Sequence, residues 1–134
     1  SVIILHGTND IIHPDGQNIF RPMSDYPTAE ELIGGLRYYI KCAKEMGLKC
    51  YLGTIIPNKG WRTHKVWRDE LRLAVNEWIK TTDEIDGFID FDLALRNPDD
   101  PMALLPIYDS GDHLHPSFEG GKRMAEFVPK EFLM

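Results

Sequence analysis

The sequence predicts an open α/β structure, in which helices cover a parallel β-sheet. Three short apolar runs, SVIIL, KCYLGTIIP and GFIDFDLAL, have the composition of buried strands, and amphipathic helical patterns lie between them. Strands that are apolar on both faces and joined through helices form the right-handed crossover units of a parallel sheet. With 134 residues, of which 43% are apolar, the chain has the size and composition of one globular domain.

The first half of the chain contains one strand, one long loop and one helix. The strand, residues 1–5, ends at the turn-forming stretch HGTND, and the stretch IIHPDGQNIFRPMSDYP, which lacks periodicity, is interpreted as a loop at the rim. Thr28 and Glu31 form a capping-box sequence, which predicts a helix from there to Gly47. Its apolar face is assigned to Leu32, Leu36, Tyr39, Ile40 and Ala43.

The second half adds two strands and two helices. The second strand closes at Pro57, and a helix is predicted from near Arg62 to Lys80. Residues 87–95 predict a third strand, and a last helix is expected to begin with Ser117 as its N-cap. The core face of the helix before the third strand is assigned to Trp67, Leu71, Ala74, Val75 and Trp78.

Charge and composition argue against several classes of partner. The net charge is −6 and the basic residues form no long run, so binding to nucleic acid or to an anionic membrane is not supported. No apolar run approaches the roughly 20 residues that span a bilayer, and the first residues do not resemble a signal peptide. Cys42 and Cys50 are too few for a disulfide framework or a zinc site. No cofactor is predicted, and no compartment is assigned.

Two polar motifs have catalytic potential. Open α/β sheets bind ligands beyond the carboxyl ends of their strands, where both HGTND and GDHLH are expected to lie. Asp112 and His115 are three residues apart, so the carboxylate can reach the imidazole Nδ1 while Nε2 faces a substrate. Either motif alone is more typical of an ordinary turn or a surface pair. The presence of both favours a function.

A metal site is the less favoured interpretation of the same residues. His113 and His115 are alternate residues beside Asp112 and could ligate a metal ion if the segment were extended. No carboxylate or histidine cluster elsewhere in the sequence completes such a site. No metal site is therefore predicted.

The sequence GTND directly after a buried strand, together with DHLHP immediately before the last helix, resembles the third and fifth sequence blocks of the SGNH hydrolases, also called the GDSL esterase family. Residues 87–126 resemble the branch of carbohydrate-associated esterases within that family. The resemblance covers nearly the whole chain. It implies a flavodoxin-like three-layer α/β/α fold with a parallel sheet, of which about three strands are present. It also implies serine esterase activity on a small ester or an acylated carbohydrate.

The resemblance further implies roles for individual residues. Asn9 matches the asparagine whose side-chain amide donates to the oxyanion, with Gly7 permitting a sharp backbone turn and Asp10 as a supporting residue. His115 matches the general base, and Asp112 the carboxylate that holds it in the correct tautomer. Trp61, in the loop after the second strand, is the candidate for stacking on a sugar at the rim of the site.

The Gly-Asp-Ser block that carries the nucleophile in that family is not found in residues 1–134. Ser1, Ser110 and Ser117 do not lie in the strained strand-to-helix turn that presents such a serine. The chain is therefore expected to be the C-terminal part of a single SGNH hydrolase-like domain, whose serine lies in earlier sequence, and to be inactive alone. Residues 2–5 are expected to form a sheet edge that pairs with the missing N-terminal piece or with a second copy.

Three functions stay open at this stage. The first is an ester hydrolase, including one that deacetylates carbohydrate, which works through a Ser-His-Asp mechanism. The second is a noncatalytic α/β binding or interaction module. The third is a metal-dependent phosphoesterase.

Overall fold

Three parallel strands form the central sheet, in the order β1–β2–β3. The strands are β1 (Val2–Ile4), β2 (Cys50–Gly53) and β3 (Gly87–Ile89) in the computed structural model, which describes residues 1–17 and 21–134. Val2 pairs with Cys50 at the start of β1, and Gly53 pairs with Ile89 at the end of β2. The carboxyl ends of all three strands therefore lie at one edge, as the sequence predicts for an α/β protein with a parallel sheet.

Helices cover both faces of this sheet. The two longest helices, α2 (Ala29–Glu45) and α3 (Val66–Thr81), pack against each other on one side of the sheet, over β1 and β2. On the other side, α4 and α5 pack together over β3. The helices are α1 (Thr8–Ile12), α2 (Ala29–Glu45), α3 (Val66–Thr81), α4 (Phe91–Leu95) and α5 (Phe118–Phe127), and a hairpin of β4 (Arg96–Asn97) and β5 (Asp100–Leu104) follows α4.

The helix ends agree well with the capping signals in the sequence. The Thr28 hydroxyl accepts from the Glu31 backbone N–H at 3.2 Å, and the Glu31 carboxylate accepts from the Thr28 N–H at 2.9 Å. Gly47, which follows the end of α2, has a φ of 71°. Ser117 caps α5, because its hydroxyl oxygen accepts from the Gly120 N–H at 3.1 Å. The capping box and the last N-cap are confirmed.

The segment after β1 differs from its prediction as a loop. Residues 8–12 form the short helix α1, because Ile11 and Ile12, both 1% exposed, turn into the core. The rest of the predicted loop includes a 3₁₀ turn at Met23–Asp25. Its centre, residues 18–20, lies outside the described residues.

The predicted core face of α3 is confirmed in part: Val75 is buried, and Leu71 and Trp78 pack against the core. The helix begins at Val66 rather than near Arg62. Trp67 is 43% exposed and Ala74 is also exposed. The face that is buried carries mostly polar side chains: Arg68, Asp69, Arg72, Val75, Asn76 and Ile79. Apolar periodicity could not reveal the polar part of this face, because its four polar side chains are held by ion pairs and hydrogen bonds. Val75 and Ile79 pack in the apolar core beside them.

A buried network explains why charged side chains face inward on α3. Arg72 Nε donates to Asp69 Oδ1 at 2.7 Å, and Arg72 Nη1 lies 3.0 Å from Asp92 Oδ1. The Asn76 side chain both accepts from the Ile55 N–H, at 2.7 Å, and donates to the Ile55 carbonyl, at 2.9 Å. Buried charges are tolerated when they are paired in this way. The network ties α3 to the segment that follows β2.

The third strand is shorter than predicted. Only Gly87–Ile89 is a strand, and the Asp90 carboxylate then accepts from the Leu93 N–H at 3.0 Å and caps α4. The Thr54 hydroxyl donates to the same Asp90 oxygen at 3.0 Å. A local capping interaction therefore ends the strand within a run that is apolar enough to continue it.

Among the described residues, β1 pairs only with β2 and lies at the edge of the sheet. An apolar groove of about 610 Å³ runs beside it and is bordered by Leu5, Ala43 and Met46. Tyr39, which was predicted to face the core, borders the same groove and is 44% exposed. No helix in the described part of the chain is long and apolar enough to cross a membrane.

Candidate active site

A compact turn between Asp109 and Pro116, here called the histidine loop, precedes α5. Its two ends pair as an isolated antiparallel bridge, and the Ser110 N–H donates to the His115 carbonyl at 3.0 Å. Inside the loop, Asp112 Oδ1 accepts from the His115 N–H at 2.8 Å. Asp112 Oδ2 lies 2.6 Å from His115 Nδ1. The contact predicted from the spacing of these two residues is therefore present, whereas their catalytic roles stay a prediction.

The charge state of Asp112 fixes the orientation of the histidine ring. The hydrogen bond from the His115 side chain, followed by those from the His115 and Leu114 backbone N–H groups, holds the pKa of the Asp112 carboxyl far below its usual value. An ionised carboxylate can only accept hydrogen bonds, so His115 Nδ1 carries the proton. Nε2 of a neutral His115 then has a free lone pair, as a general base requires.

A second Asp–His pair lies in the same loop. Asp109 Oδ2 is 2.6 Å from His113 Nδ1, so the two histidines are bound to different carboxylates. In the described ranges, 1–17 and 21–134, no group of three or more His, Cys, Asp or Glu side chains is arranged to hold a metal ion. The i,i+4 spacing of Asp109 and His113 is a signal in the sequence from which this contact could have been predicted.

The candidate oxyanion residue lies on a turn of residues 6–13, here called the Asn9 turn. Gly7 has a φ of 115°, and a Cβ atom at this position would lie 2.7 Å from Ile55 Cδ1. The positive φ requires glycine, which lets the chain reverse sharply into α1. Asn9 and Asp10 follow in the first turn of α1 and are exposed. Their side chains are thus available to a ligand at the carboxyl end of β1.

Residues of the β2–α3 region hold the Asn9 turn in place, and sequence reasoning missed them. The Arg68 guanidinium, on a residue that is 4% exposed, donates to the carbonyls of Ile11 and Pro14. It also lies 4.7 Å from the centre of the Trp67 ring. The Thr63 hydroxyl donates to the Ile12 carbonyl at 2.7 Å. Burial lowers the pKa of Arg68 from its usual value, although the residue stays charged at neutral pH.

The segment between β2 and α3, residues 54–65, contacts both candidate regions and is called the β2 loop. Thr63 binds the end of α1, and the Gly60 backbone lies directly against the His113 ring. Because β1 and β2 are parallel, the Asn9 turn and the β2 loop leave the sheet at the same edge. The two sequence motifs therefore flank one loop. Trp61, in the centre of that loop, is half-buried with the Arg62 guanidinium 6.0 Å from its ring, and its contact with substrate stays a prediction.

Comparisons with known proteins give a consistent result. A family model described as GDSL-like lipase/acylhydrolase matches residues 1–128. Two crystal structures are similar: a protein described as an acylhydrolase from Bacteroides fragilis, with a TM-score of 0.70, and a GDSL-like lipase from Bacteroides thetaiotaomicron, with a TM-score of 0.68. Each is 20% identical, with 98% of this chain and 60% of the other chain covered. A search of curated proteins found no match.

The structural likeness confirms the predicted flavodoxin-like α/β fold. At 20% identity it shows the fold alone. The chain spans 60% of the length of each of these two proteins.

Proposed function

Because the chain belongs to the GDSL-like lipase/acylhydrolase family, we propose that it supplies the general base, its carboxylate partner and one oxyanion donor of a serine ester hydrolase. The observation that carries this proposal is the contact of 2.6 Å between Asp112 Oδ2 and His115 Nδ1. The ionised carboxylate holds the ring so that Nε2 can accept a proton. Asn9 is exposed on the Asn9 turn, which lies beside the β2 loop, as the histidine loop does.

In the proposed reaction, His115 Nε2 takes the proton of a serine hydroxyl while the serine oxygen attacks the ester carbonyl carbon. The carbonyl oxygen becomes an oxyanion and accepts a hydrogen bond from Asn9 Nδ2. When the tetrahedral intermediate collapses, the C–O bond to the alcohol breaks and His115 returns its proton to the alcohol oxygen. A water molecule, deprotonated by the same nitrogen, then attacks the acyl carbon. The bond between this carbon and the serine oxygen breaks, the acid leaves, and His115 returns the proton to the serine oxygen.

We place the serine in sequence outside residues 1–134. Ser24 lies in the 3₁₀ turn Met23–Asp25 and not in a strand-to-helix turn. The other three serines in the chain already use their hydroxyl protons in other hydrogen bonds. Ser110 Oγ donates to Asp112 Oδ1 at 3.1 Å, and Ser117 Oγ donates to the Ile107 carbonyl at 2.6 Å. Ser1 Oγ donates to the Phe132 carbonyl at 2.7 Å. None of these three hydroxyls is directed at His115 Nε2.

The proposed substrate is a small ester or an acylated carbohydrate, of which an acetylated sugar is one example. The resemblance of residues 87–126 to carbohydrate-associated esterases supports the sugar. An indole in the β2 loop supports it further, because aromatic rings stack on the apolar faces of sugars. Trp61 is the residue proposed for that contact.

We further propose that the free edge of β1 is paired in the stable protein. The strand carries no lysine, proline or inward-pointing charge, which are the features that protect an exposed edge. The groove beside it adds apolar surface at Leu5 and Met46, which are 36% and 74% exposed. The occupant is another segment of the same domain or β1 of a second copy. Native mass spectrometry of residues 1–134 alone detects pairing with a second copy as a dimer, and amide hydrogen exchange of β1 in the complete protein detects pairing within one chain. A stable monomer in which the β1 amides exchange freely in both preparations would contradict the proposal.

The direct test of the proposed function is ester turnover. The protein made from its complete coding sequence is assayed with p-nitrophenyl acetate and with an acetylated xylo-oligosaccharide, beside residues 1–134 alone. We expect turnover in the first preparation only, with unchanged rates after treatment with EDTA. A folded complete protein that hydrolyses neither ester would instead support a noncatalytic module. Loss of activity on chelation, restored by a metal ion, would support a metal-dependent hydrolase.

A further inference from the structure

We propose that the second pair in the histidine loop, Asp109 with His113, is a positioning element that sets the orientation of His115. The meaning of that orientation for catalysis rests on the proposed function. The orientation of His115 does not depend on the proposed function, and the experiment measures that orientation through the tautomer of the ring.

Asp109 holds the first half of the loop with both of its carboxylate oxygens. Oδ1 accepts from the Gly111 N–H at 2.8 Å and from the His113 N–H at 3.0 Å. Oδ2 lies 2.6 Å from His113 Nδ1, and the Asp109 side chain is only 11% exposed. Burial acts to raise the pKa of this carboxyl, but the hydrogen bonds from Gly111 and His113 outweigh it and lower the pKa. Asp109 therefore binds His113 as an ionised group.

His113 has a backbone conformation that most residues avoid. Its φ is 65°, and in the described part of the chain it is the only residue other than glycine with a positive φ. For a residue with a Cβ this conformation is unfavourable, because the Cβ lies too close to the following carbonyl oxygen. Such strain persists where the surroundings over-determine it, often at functional sites. Here the surroundings are the Asp109 carboxylate on one side and the β2 loop on the other.

The β2 loop provides a backbone surface against which the His113 ring packs closely. A Cβ atom on Gly60 would lie 2.6 Å from His113 Cγ and 2.8 Å from its Cδ2. Gly60 also has a φ of 105°, so both its conformation and its contact require glycine. The ring is thus fixed between a buried carboxylate and a bare stretch of backbone.

The strained residue lies between the two partners of the catalytic pair. Asp112 precedes it, and the N–H groups of Leu114 and His115 both donate to Asp112 Oδ1, at 2.9 and 2.8 Å. A change in the backbone angles of His113 would therefore rotate His115 relative to Asp112. Leu114, at 7% exposed, anchors the chain beyond the turn. By fixing His113, the Asp109 carboxylate fixes the direction in which His115 Nε2 points.

Three substitutions at one position separate the contribution of the ring from that of the backbone. His113→Gly removes the ring and the strain together, and His113→Ala removes the ring and keeps the strain. His113→Asn tolerates a positive φ and retains an amide that can donate to Asp109. The tautomer of His115 is read in the 134-residue chain by long-range ¹H–¹⁵N NMR at a pH where the ring is neutral. Thermal unfolding is measured in parallel. Glu84→Gln, which breaks an exposed ion pair with Arg37, is the control.

We expect the wild type, the Asn variant and the control to hold His115 with its proton on Nδ1. The Gly and Ala variants should lose that preference, even though the Gly variant unfolds at no lower a temperature than the wild type. Asp109→Asn should lose it too. If His115 keeps its tautomer in the Gly and Asp109→Asn variants, the proposal is wrong. Because no turnover is measured, a failed esterase assay with the tautomer shift present would reject the proposed function alone.

Discussion

The histidine loop and the Asn9 turn flank the same β2 loop, but they are held in place by different kinds of contact. In the histidine loop, the carboxylates of Asp109 and Asp112 accept hydrogen bonds from residues two to four positions further along the chain. In the Asn9 turn, the holding groups are Arg68 and Thr63, which are 57 and 51 residues from the carbonyls of Ile11 and Ile12 that they bind.

Because of this difference, we expect the two regions to respond differently to a change of pH and to substitutions in the core. The histidine loop depends on ionised carboxylates of which Asp112 is substantially exposed, its side chain being 39% accessible. The Asn9 turn depends on the packing of α3, because Arg68 is presented by a helix whose polar face is buried. Charge should control the first region, whereas core stability should control the second.

The largest effect is expected at the base itself. In the complete protein, His115→Ala should lower kcat on the order of 10⁴- to 10⁶-fold with little change in KM, because the serine loses its proton acceptor. Steady-state hydrolysis of p-nitrophenyl acetate measures this. His64→Gln is the matched control, since His64 is half-buried beside Asn58 in the β2 loop. Equal losses in both variants would mean that His115 has no special role.

Removing the long-range support of the Asn9 turn should affect stability first. Arg68→Met leaves the buried carbonyls of Ile11 and Pro14 without their donor, and each unpaired group costs about 1–3 kcal/mol. We expect the free energy of unfolding to fall by about 2 to 6 kcal/mol in urea denaturation. Arg37→Met is the control, because Arg37 also lies over a tryptophan but is exposed. A comparable loss in the control would contradict the account of Arg68.

Removing the Asn9 side chain should lower the rate of turnover and leave the stability unchanged. Asn9→Ala should lower kcat on the order of 10²- to 10³-fold, the usual consequence of losing one oxyanion donor. Stability should not fall, since Asn9 is exposed in α1 and alanine favours helix. The complete protein is assayed for turnover and for thermal unfolding. A variant Asn9→Ala with the activity of the wild type would show that Asn9 does not donate to the oxyanion.

The smallest effect, and the one that most directly separates the two regions, is the response to acid. The pKa values of Asp109 and Asp112 are lowered in the folded protein. Their contribution to stability is therefore present above the unfolded value of about 3.9 and is lost as the pH falls through the lower folded values. As the pH is lowered, amide hydrogen exchange should show that the histidine loop opens first, at a higher pH than the Asn9 turn. Simultaneous opening would mean that both regions depend on the same support.

The same contrast explains how much of the molecule the sequence could reveal. The succession of strands and helices along the chain, the helix caps and the Asp112–His115 contact follow from periodicity and short spacings, which are local properties. The inward polar face of α3 could not be predicted, because Arg68 and Arg72 find their partners only after the chain has folded. The early end of β3 was missed for a related reason, since Asp90 caps α4 within an apolar run.

The central claim, that residues 1–134 hold the base and an oxyanion donor but no nucleophile, is tested most directly by a fluorophosphonate probe. The chain of 134 residues and the protein made from the complete coding sequence are treated in parallel, and mass spectrometry locates the modified residue. We expect no modified serine in the 134-residue chain, and in the complete protein one modified serine outside residues 1–134 that loses its reactivity in the His115→Ala variant. Modification of any of the four serines of residues 1–134 that depends on His115 would contradict the account.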